Sequence, residues 1–366
     1  MRRDHTTHGK QHAGIHGARH AARDFAAAVQ TGPHAGLGRD AYRNVEGIDP
    51  PSCRLQTGPS TADVPVSNPF SFLGGCVQSR DVLRTIAQID QLTAQGSTWS
   101  TLLKRDQAQG HWFWFELEWN ATRLCTVTHP ELTMLATGPD GIVSANTIAG
   151  DTEETIDATD DGPSRRGPIR DLRVIGGVPY AVGMGRQVYR REAPGRWTRQ
   201  DEGVVLPRGV IDLCGFNAID GVGEHDLHAV GFNGELWQRT DGAWRRHDSP
   251  TPRVLHAVVA VREDLAYASG QSGTLLRYDG DRWQAIEHGV ALGDLWGLAW
   301  FRDTLYAACD QGLFRLEGDR LLQVDMRLPH TPTCRHLSVG DGVLLSCGPK
   351  HVVWTDDGEA WHDITL

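Results

Sequence analysis

The 366-residue sequence contains no run of about 18 apolar residues, which is the length a helix needs to cross a bilayer. No transmembrane helix is therefore predicted. The first residues carry positive charge without an apolar segment, so no secretion signal is expected. The seven cysteines form no Cys-x-x-Cys pair and are odd in number, which argues against a disulfide framework and against a zinc site. We expect buried free thiols in a reducing, cytoplasmic compartment.

The chain also lacks a basic excess and the common nucleotide motifs. Its formal net charge is −10, so a nucleic-acid partner held by phosphate contacts is not expected. There is no P-loop, no Gly-x-Ser-x-Gly elbow, and no dinucleotide fingerprint followed by a helix. No cofactor and no membrane partner are predicted.

A short pattern repeats through the C-terminal half of the sequence. Each unit contains two apolar strands with a tight turn, a third strand, a Gly-containing turn and a large apolar anchor. The turn-and-anchor segments are 195–197, 242–244, 280–283, 318–321 and 358–361, with anchors about 40 to 50 residues apart. This period, with several short strands in each unit, is typical of a β-propeller. A single blade cannot bury its own faces, so the units must stack against one another.

The pattern predicts an all-β fold with six blades. Five regular blades cover residues 169–200, 210–248, 254–287, 294–324 and 335–366, and an irregular first blade starts at His111. Seven blades result if part of 60–110 pairs as strands. We predict three regions: a largely disordered arm rich in His and Gly over 1–60, a helical appendage over 61–110, and the propeller over 111–366.

The helical appendage is predicted from spacing. Val82, Leu83, Ile86, Ile89 and Leu92 recur as on one face of a helix, which indicates an amphipathic helix over 76–95. A second, shorter helix is expected over 99–104. These helices would brace the propeller or add a docking surface to it.

Small and large side chains take different places in the predicted blades. Alanine recurs in the second strands, where neighbouring blades converge and leave little room, at Ala181, Ala229, Ala268 and Ala307. Tryptophan recurs towards the outer strands, where the blades diverge and more volume must be filled. We therefore expect most of the 12 tryptophans to pack in the core and fill the space between diverging blades.

The last blade contains Asp356-Asp357-Gly358-Glu359-Ala360-Trp361. The spacing from Asp356 to Gly358 and Trp361 resembles the Asp-box turn of BNR and sialidase-type propellers, and the repeat also resembles those of YCF48-like assembly-factor propellers. The resemblance covers about residues 169–366 and implies the fold. Asp-boxes in that family are structural turns, so it implies no catalytic residue.

Three clusters contain residue types that can bind metal ions. His8, His12, His16 and His20 recur every four residues, but the intervening glycines disfavour the helix that would align them. Glu224, His225 and His228 lie in strand-like sequence, where positions three apart face opposite sides. The acidic segment 151–161 lacks calcium-loop spacing and lies beside Arg165, Arg166, Arg170 and Arg173, which could neutralise it. No metal site is predicted.

Polar residues recur in the loops between second and third strands and in the connections between blades. These two sets of loops lie at one end of a propeller, where loops on a rigid scaffold often carry recognition. The predicted partner-binding face carries eight candidates: Arg186, Arg208, Asn233, Gln271, Asp294, Asp310, His330 and Lys350.

The sequence favours a non-enzymatic, cytoplasmic propeller that binds another protein, as an adaptor, an assembly factor or an immunity-type protein that blocks a toxin. Charge reversal at Arg186 and Lys350 would then weaken partner capture without changing the melting temperature. The alternative is a hydrolase, lyase or carbohydrate-binding protein that acts at the mouth of the axial channel, with Asp294, Asp310 and His330 as acid–base candidates. No catalytic pair recurs in these loops, so no catalytic residue is assigned.

Overall fold

A computed structural model describes residues 43–45, 68–207 and 214–365 of the chain. The described residues form seven antiparallel sheets of four strands each, and one sheet carries an additional fifth strand. Every sheet is built from consecutive strands, so each is one blade. Of the predicted N-terminal arm, only the strand at 43–45 lies within the described residues.

The strands follow one another blade by blade. Blade 1 contains β1 (Arg43–Val45), β2 (Phe70–Ser79), β3 (Val82–Ile89), β4 (Ser100–Asp106) and β5 (His111–Leu117), with β1 paired to β5 at the outer edge. Blade 2 contains β6 (Arg123–Val127), β7 (Thr133–Thr137), β8 (Ile142–Thr147) and β9 (Gly150–Thr155). Blade 3 contains β10 (Ile169–Ile175), β11 (Val178–Gly183), β12 (Gln187–Ala193) and β13 (Arg196–Arg199).

The remaining four blades repeat this arrangement. Blade 4 contains β14 (Phe216–Gly223), β15 (Asp226–Gly231), β16 (Leu236–Thr240) and β17 (Ala243–Arg246). Blade 5 contains β18 (Leu255–Arg262), β19 (Leu265–Gly270), β20 (Leu275–Tyr278) and β21 (Trp283–Ala285). Blade 6 contains β22 (Gly297–Phe301), β23 (Thr304–Cys309), β24 (Gly312–Glu317) and β25 (Arg320–Gln323). Blade 7 contains β26 (His336–Gly340), β27 (Val343–Cys347), β28 (Val352–Thr355) and β29 (His362–Asp363).

Among the described residues, helical structure is confined to connections. The α-helices are α1 (Asp90–Ala94) and α2 (Pro163–Arg166), and two 3₁₀ turns cover Phe232–Gly234 and Gln271–Gly273. The first strand of every blade contacts the first strands of both neighbouring blades, and β2 contacts β26, which closes the ring. The chain is a seven-bladed propeller, with the first strands innermost.

The prediction of six blades is wrong, and so is the helical appendage predicted over 61–110, as far as the structure describes it, from residue 68 onward. That region forms β2, β3 and β4 of blade 1, and only Asp90–Ala94 is helical. The physical reason is that blade 1 packs between blades 7 and 2, so both faces of β3 are buried, with Leu83, Ile86 and Ala87 fully inaccessible. A strand buried on both faces shows no alternation of apolar and polar residues, and its pattern cannot be distinguished from a helix by spacing. The strands Phe70–Ser79, Val82–Ile89 and Ser100–Asp106 therefore belong to the propeller, although they precede the predicted start at His111.

The predicted sorting of side chains is confirmed for the alanines but only in part for the tryptophans, since Trp296 and Trp300 lie at the inner strand of blade 6. Ala181, Ala229, Ala268 and Ala307 are all fully buried between neighbouring blades. Among the tryptophans, Trp112, Trp283 and Trp361 are buried, most of the others are half-buried, and Trp99 is exposed. The interior of the propeller thus consists of interfaces between blades, each filled by apolar clusters that draw on two adjacent sheets.

Blades 7 and 1 are joined through the N- and C-terminal parts of the propeller without exchanging a strand. Phe72 donates its backbone N–H to Pro349 at 2.9 Å. The Lys350 ammonium forms an ion pair with Asp90 and donates to the carbonyl of Phe70 at 2.9 Å. On the other end of the blades, Arg80 forms an ion pair with Asp356. Polar contacts at both ends therefore supplement the apolar contact between these two blades.

The Asp-box-like turn of the last blade is a structural turn, with one change from the predicted spacing. Asp357, which directly precedes Gly358, accepts the backbone N–H groups of Glu359 and Ala360, both at 2.7 Å. These two bonds hold the pKa of the Asp357 carboxyl below its usual range. In blade 5, Asp279 accepts from Asp281 and Arg282 in the same way. The residue before the glycine, and not the one two positions before it, closes both turns.

Candidate functional site

The loops that carry the predicted partner-binding residues lie at one end of the blades. The connections between second and third strands and the connections between blades all meet at this end, because adjacent strands in every blade are antiparallel. We call this surface the loop face. Seven of the eight predicted residues can be placed on it, and Arg208 lies outside the described residues.

Arg186 is engaged in an ion pair between two blades. Its guanidinium donates to both carboxylate oxygens of Glu235, with an Nε–Oε2 distance of 3.0 Å and an Nη2–Oε1 distance of 2.5 Å. The Glu235 side chain is only 2% exposed and that of Arg186 is 15% exposed. The guanidinium also lies 5.2 Å from the Trp237 ring centre. This residue joins blade 3 to blade 4, and the pair leaves little of it accessible to a partner.

Lys350 and Gln271 are also held by internal contacts. Lys350 joins blade 7 to blade 1, as described above. Gln271 accepts the backbone N–H of Val254 at 3.1 Å, which fixes the connection entering blade 5. Both side chains shape the loop face by ordering the backbone around them.

The other predicted residues form separate pairs that are more accessible. Asp310 accepts from Arg335 at 2.7 Å and 3.2 Å, and both side chains are about half exposed. Asp294 accepts the backbone N–H of Ser272 at 3.0 Å and lies 3.3 Å from the His256 ring nitrogen.

His330 lies 3.4 Å from Asp363 and stacks on His351, with ring centres 4.5 Å apart. The three acid–base candidates, Asp294, Asp310 and His330, therefore have different partners. Arg335 beside Asp310, together with Trp296, holds the pKa of that carboxyl below its usual range, so Asp310 is ionised near neutral pH and unsuited to donating a proton.

Asn233 lies at the edge of a groove on the loop face of blade 4. The groove has a volume of about 530 Å³. Apart from Asn233, it is lined by residues 246–252, which connect blade 4 to blade 5. Asn233 adopts a left-handed backbone conformation with φ 55° and places its side-chain amide 3.7 Å from the Cys214 sulfur. The groove is polar and open at the surface.

A second set of residues, which the sequence analysis did not assemble, surrounds the central axis on the same face. They lie at or next to the first residue of successive inner strands. We call them the axial mouth: Arg123, Arg170, Asn217, His256, Trp296 and Arg335. None of the six is acidic. Alignment of the repeats on the buried residues at or just before the start of each inner strand, such as Ile169, Phe216, Leu255 and Leu295, would have placed most of them together.

Contacts between neighbouring blades connect the axial mouth. Arg170 donates its Nε–H to the Asn217 side chain at 3.2 Å, and Asn217 in turn donates to the carbonyl of Leu255 at 2.8 Å. His256 stacks on Trp296, with ring centres 4.4 Å apart, and the Arg335 guanidinium lies 5.3 Å from the Trp296 ring centre. Each contact joins one blade to the next. The geometry of the mouth is therefore fixed by the closure of the propeller.

Two ion pairs lie deeper along the inner strands. Arg123 lies 3.6 Å from Asp171, and Arg173 lies 3.3 Å from Asp220. Asp171 and Asp220 also accept backbone N–H groups, from Ile219 at 3.2 Å and from Ala260 at 3.0 Å. Burial raises the pKa of the Asp171 carboxyl despite these partners. These pairs link the inner strands of blades 2 to 5.

The electrostatic environment of the axis lowers the pKa of nearby histidines. Burial, with the positive charges of Arg123 and Arg173, lowers the pKa of His336 to about 3. Burial also lowers the pKa of His256, and Arg170 contributes to this although Asp294 opposes it. Both imidazoles are therefore neutral near pH 7.

His336 gives a testable pH dependence. Its native pKa of about 3 lies below the value of about 6.5 expected in the unfolded chain. As the pH falls, His336 takes up a proton in the unfolded chain before it does so in the native protein. The contribution of neutral His336 to the free energy of unfolding is therefore complete above pH 6.5 and is lost as the pH falls from there towards 3. We expect the His336 ring resonance to show no titration above pH 5 by NMR. In the His336→Asn variant, the free energy of unfolding should decrease less between pH 6.5 and 3. Titration of His336 near pH 6 in the native protein would contradict the prediction.

The acidic segment 151–161 is largely neutralised internally. Glu154 is buried and accepts from Arg191 and from the Trp197 indole, both at 3.0 Å. Although burial alone would raise its pKa, these donors lower it. Arg165 and Arg166 form ion pairs with Asp160 and Asp161, as predicted. Arg170 and Arg173 have other partners. Within the part of the chain that the structure describes, no group of three His, Cys, Asp or Glu side chains is arranged to hold a metal ion.

The prediction of buried free thiols is confirmed for most of the cysteines that the structure describes. Six lie in the described residues and are free thiols, and five of these are buried. Burial raises the pKa of the Cys76 thiol to about 11 and that of Cys334 to about 12, so these sulfurs are protonated and unreactive. Among the described residues, no helix is both long and apolar enough to cross a membrane.

Comparison with solved structures supports the architecture. The WD40 propeller domain of Doa1 is similar over 78% of this chain and 91% of that domain, with a TM-score of 0.60 and 9% identity. YCF48 bound to a D1 peptide is similar over 86% of this chain and 96% of that one, with a TM-score of 0.57 and 13% identity. The predicted YCF48-like architecture is thus confirmed. At these identities the similarity concerns the fold alone.

Comparison of sequences identifies a relative. No protein-family profile matches the chain. The immune protein Tsi7 of Pseudomonas aeruginosa is 34% identical over 297 residues, which cover 80% of this chain and 96% of Tsi7. The aligned length includes most of the propeller, so the similarity is not restricted to one blade. The chain belongs to the protein family of the immune protein Tsi7.

Proposed function

We propose that this protein is an immunity protein that binds a toxin protein and blocks its action. The single observation that carries the proposal is the 34% identity to an immune protein over nearly the whole length of that relative. Among the three kinds of protein-binding propeller compatible with the sequence, this relationship favours the immunity-type protein over an adaptor or an assembly factor.

The loop face is the proposed toxin-binding surface. Its loops are ordered before any partner arrives, because side chains bond to the backbone of adjacent connections, as Gln271 does to Val254 and Asp294 does to Ser272. A preordered surface loses little conformational entropy on binding, which favours high affinity. The accessible candidates on this face are Asp294, Asp310, His330 and, within the axial mouth, Arg170 and Arg335. Arg186 and Lys350 support the scaffold.

The proposed site of action is the cytoplasm, and the proposed partner is a protein and neither a nucleic acid nor a membrane. Free, buried thiols are typical of proteins that work in a reducing compartment. The formal net charge of −10 disfavours attachment to phosphate-rich partners.

The proposal is tested by deleting the gene in its native host. We expect the deletion strain to lose in contact-dependent competition with its parent, and a plasmid copy of the full chain to restore survival. The toxin responsible, identified by suppressor mutations that rescue the deletion strain, should bind the purified chain directly. Equal survival of the deletion strain and the parent, under conditions where the parent kills unrelated competitors, would contradict the proposal.

A further inference from the structure

The axial mouth contains one arginine, Arg170, whose charge is not balanced by a carboxylate of any described residue. Arg123 lies beside Asp171, and Arg335 is paired with Asp310. Arg170 is exposed, and among the described residues it has no acidic partner within ion-pair distance. Within the described part of the chain, Arg170 donates one hydrogen bond, from Nε to the neutral Asn217 side chain at 3.2 Å. The two terminal amino groups of Arg170 therefore point to no protein acceptor among those residues.

The surroundings of Arg170 favour an incoming anion. Although Arg170 is exposed as a residue, partial burial of its guanidinium, with the positive charge of Arg123 on the adjacent blade, lowers its pKa. A carboxylate bound to Arg170 would offset this positive potential. Arginine binds a carboxylate through two parallel N–H bonds, which are stronger than bonds between neutral groups.

The other residues of the axial mouth suit a polypeptide ligand more than a free ion. Trp296 is half-buried, with His256 stacked on it and Arg335 near its ring. Tryptophan and arginine are the residue types that contribute most to protein interfaces, especially near the centre of the contact. The mouth lies at the centre of the loop face, where a partner that covers the face would be most completely desolvated.

We propose that the axial mouth binds an acidic side chain or terminal carboxylate of a partner protein, with Arg170 as the anchoring residue. This inference rests on the proposed function, which supplies the protein partner. It goes beyond that function in naming the chemistry of the contact and the residue that makes it.

The matched variants are Arg170→Gln and Arg253→Gln. Each removes one positive charge from the loop face, and Arg253 is an exposed arginine whose described contact is a long hydrogen bond of 3.5 Å to Thr274. Because Arg170 is exposed and bonds to a single amide, its replacement should leave the fold intact. A melting curve for each variant verifies this.

The probe is an amidated hexaglutamate peptide, with hexaglutamine as the neutral comparison. We expect hexaglutamate to bind the unaltered chain and Arg253→Gln equally, and to bind Arg170→Gln at least about tenfold more weakly, as expected for the loss of one charge-assisted bond pair. Arg170→Lys should recover only part of the affinity, because lysine does not form the paired bonds. Equal weakening by Arg170→Gln and Arg253→Gln, or binding of hexaglutamine as strong as that of hexaglutamate, would overturn the proposal.

Two further arms separate the possible outcomes. Displacement of hexaglutamate by inorganic phosphate at concentrations equal to those of the peptide would indicate a general anion site and overturn the assignment to a polypeptide. In the competition assay, Arg170→Gln should fail to restore survival of the deletion strain while Arg253→Gln restores it. If both variants restore survival, the axial-mouth proposal fails although the immunity function stands; if the deletion strain survives without any copy, the proposed function itself fails.

Discussion

Replacing Arg186 by methionine is expected to lower the free energy of unfolding by about 3 kcal/mol, the lower end of the range measured when one partner of a buried ion pair is removed. The reason is that Glu235 has a side-chain exposure of only 2% and receives both of its charge-assisted bonds from Arg186. Without the guanidinium, a carboxylate remains in an apolar interface between blades 3 and 4. Methionine keeps most of the side-chain volume, so the effect reports the charge and not a cavity.

The control for this prediction is Arg262→Met. Arg262 forms an ion pair with Asp264, and both side chains are more than 60% exposed. Such surface pairs contribute about 0 to 1 kcal/mol, so little change is expected. Urea denaturation measures both variants. The double variant Arg186→Met with Glu235→Gln should recover part of the loss, because it removes the unpaired charge. Similar losses for Arg186→Met and Arg262→Met would contradict the role assigned to the buried pair.

Replacing Gly270 by alanine should also destabilise the protein by about 3 kcal/mol, at the upper end of the range for overpacking. Gly270 ends the second strand of blade 5, where the connection from blade 4 passes directly beside it. A Cβ atom at this position would lie 2.1 Å from the carbonyl oxygen of Val254 and 2.9 Å from the Leu255 Cα. Both are backbone atoms, so they cannot be relieved by a change of rotamer. The φ of −170° is extended and suits any residue, which means that contact, not backbone conformation, requires the glycine.

Gly223→Ala provides the matched control. Gly223 ends an inner strand, and a Cβ atom there would meet nothing within 4 Å. We expect a change of less than about 0.5 kcal/mol for this substitution. Equal stabilities of the two alanine variants in urea denaturation would show that the connection can move away from the second strand, and would remove the explanation given for Gly270.

That repeated glycine is one of the features that could be predicted from sequence, although its cause could not. Gly183, Gly231 and Gly270 end second strands and Gly348 directly follows one. A Cβ at each would lie within 2.4 Å of a carbonyl oxygen of the incoming connection. The sequence shows the regular recurrence. The close approach that requires it becomes visible only when consecutive blades are placed side by side.

The predicted partner-binding residues show the limit of sequence reasoning more clearly. Arg186 and Lys350 were expected to be replaceable without affecting the melting temperature. The structure places Arg186 on a buried carboxylate of the next blade and Lys350 at the junction of the last and first blades. The partner of Arg186 lies 49 residues away and that of Lys350 lies 260 residues away. No local pattern around an arginine or lysine indicates whether such a distant carboxylate meets it.

By itself, the sequence of this protein determined the propeller architecture, the boundaries of the regular blades, the buried alanines and the free thiols, because each depends on strand periodicity or residue size within one repeat. The tertiary structure alone decided that blade 1 is built from strands, which charged residues are neutralised, and that six residues from separate blades form the axial mouth. These features depend on contacts between neighbouring blades. A strand that is buried on both faces lacks the alternation of apolar and polar residues that identifies a strand in sequence. Charged partners that lie about one repeat apart in sequence come together only when neighbouring blades pack side by side.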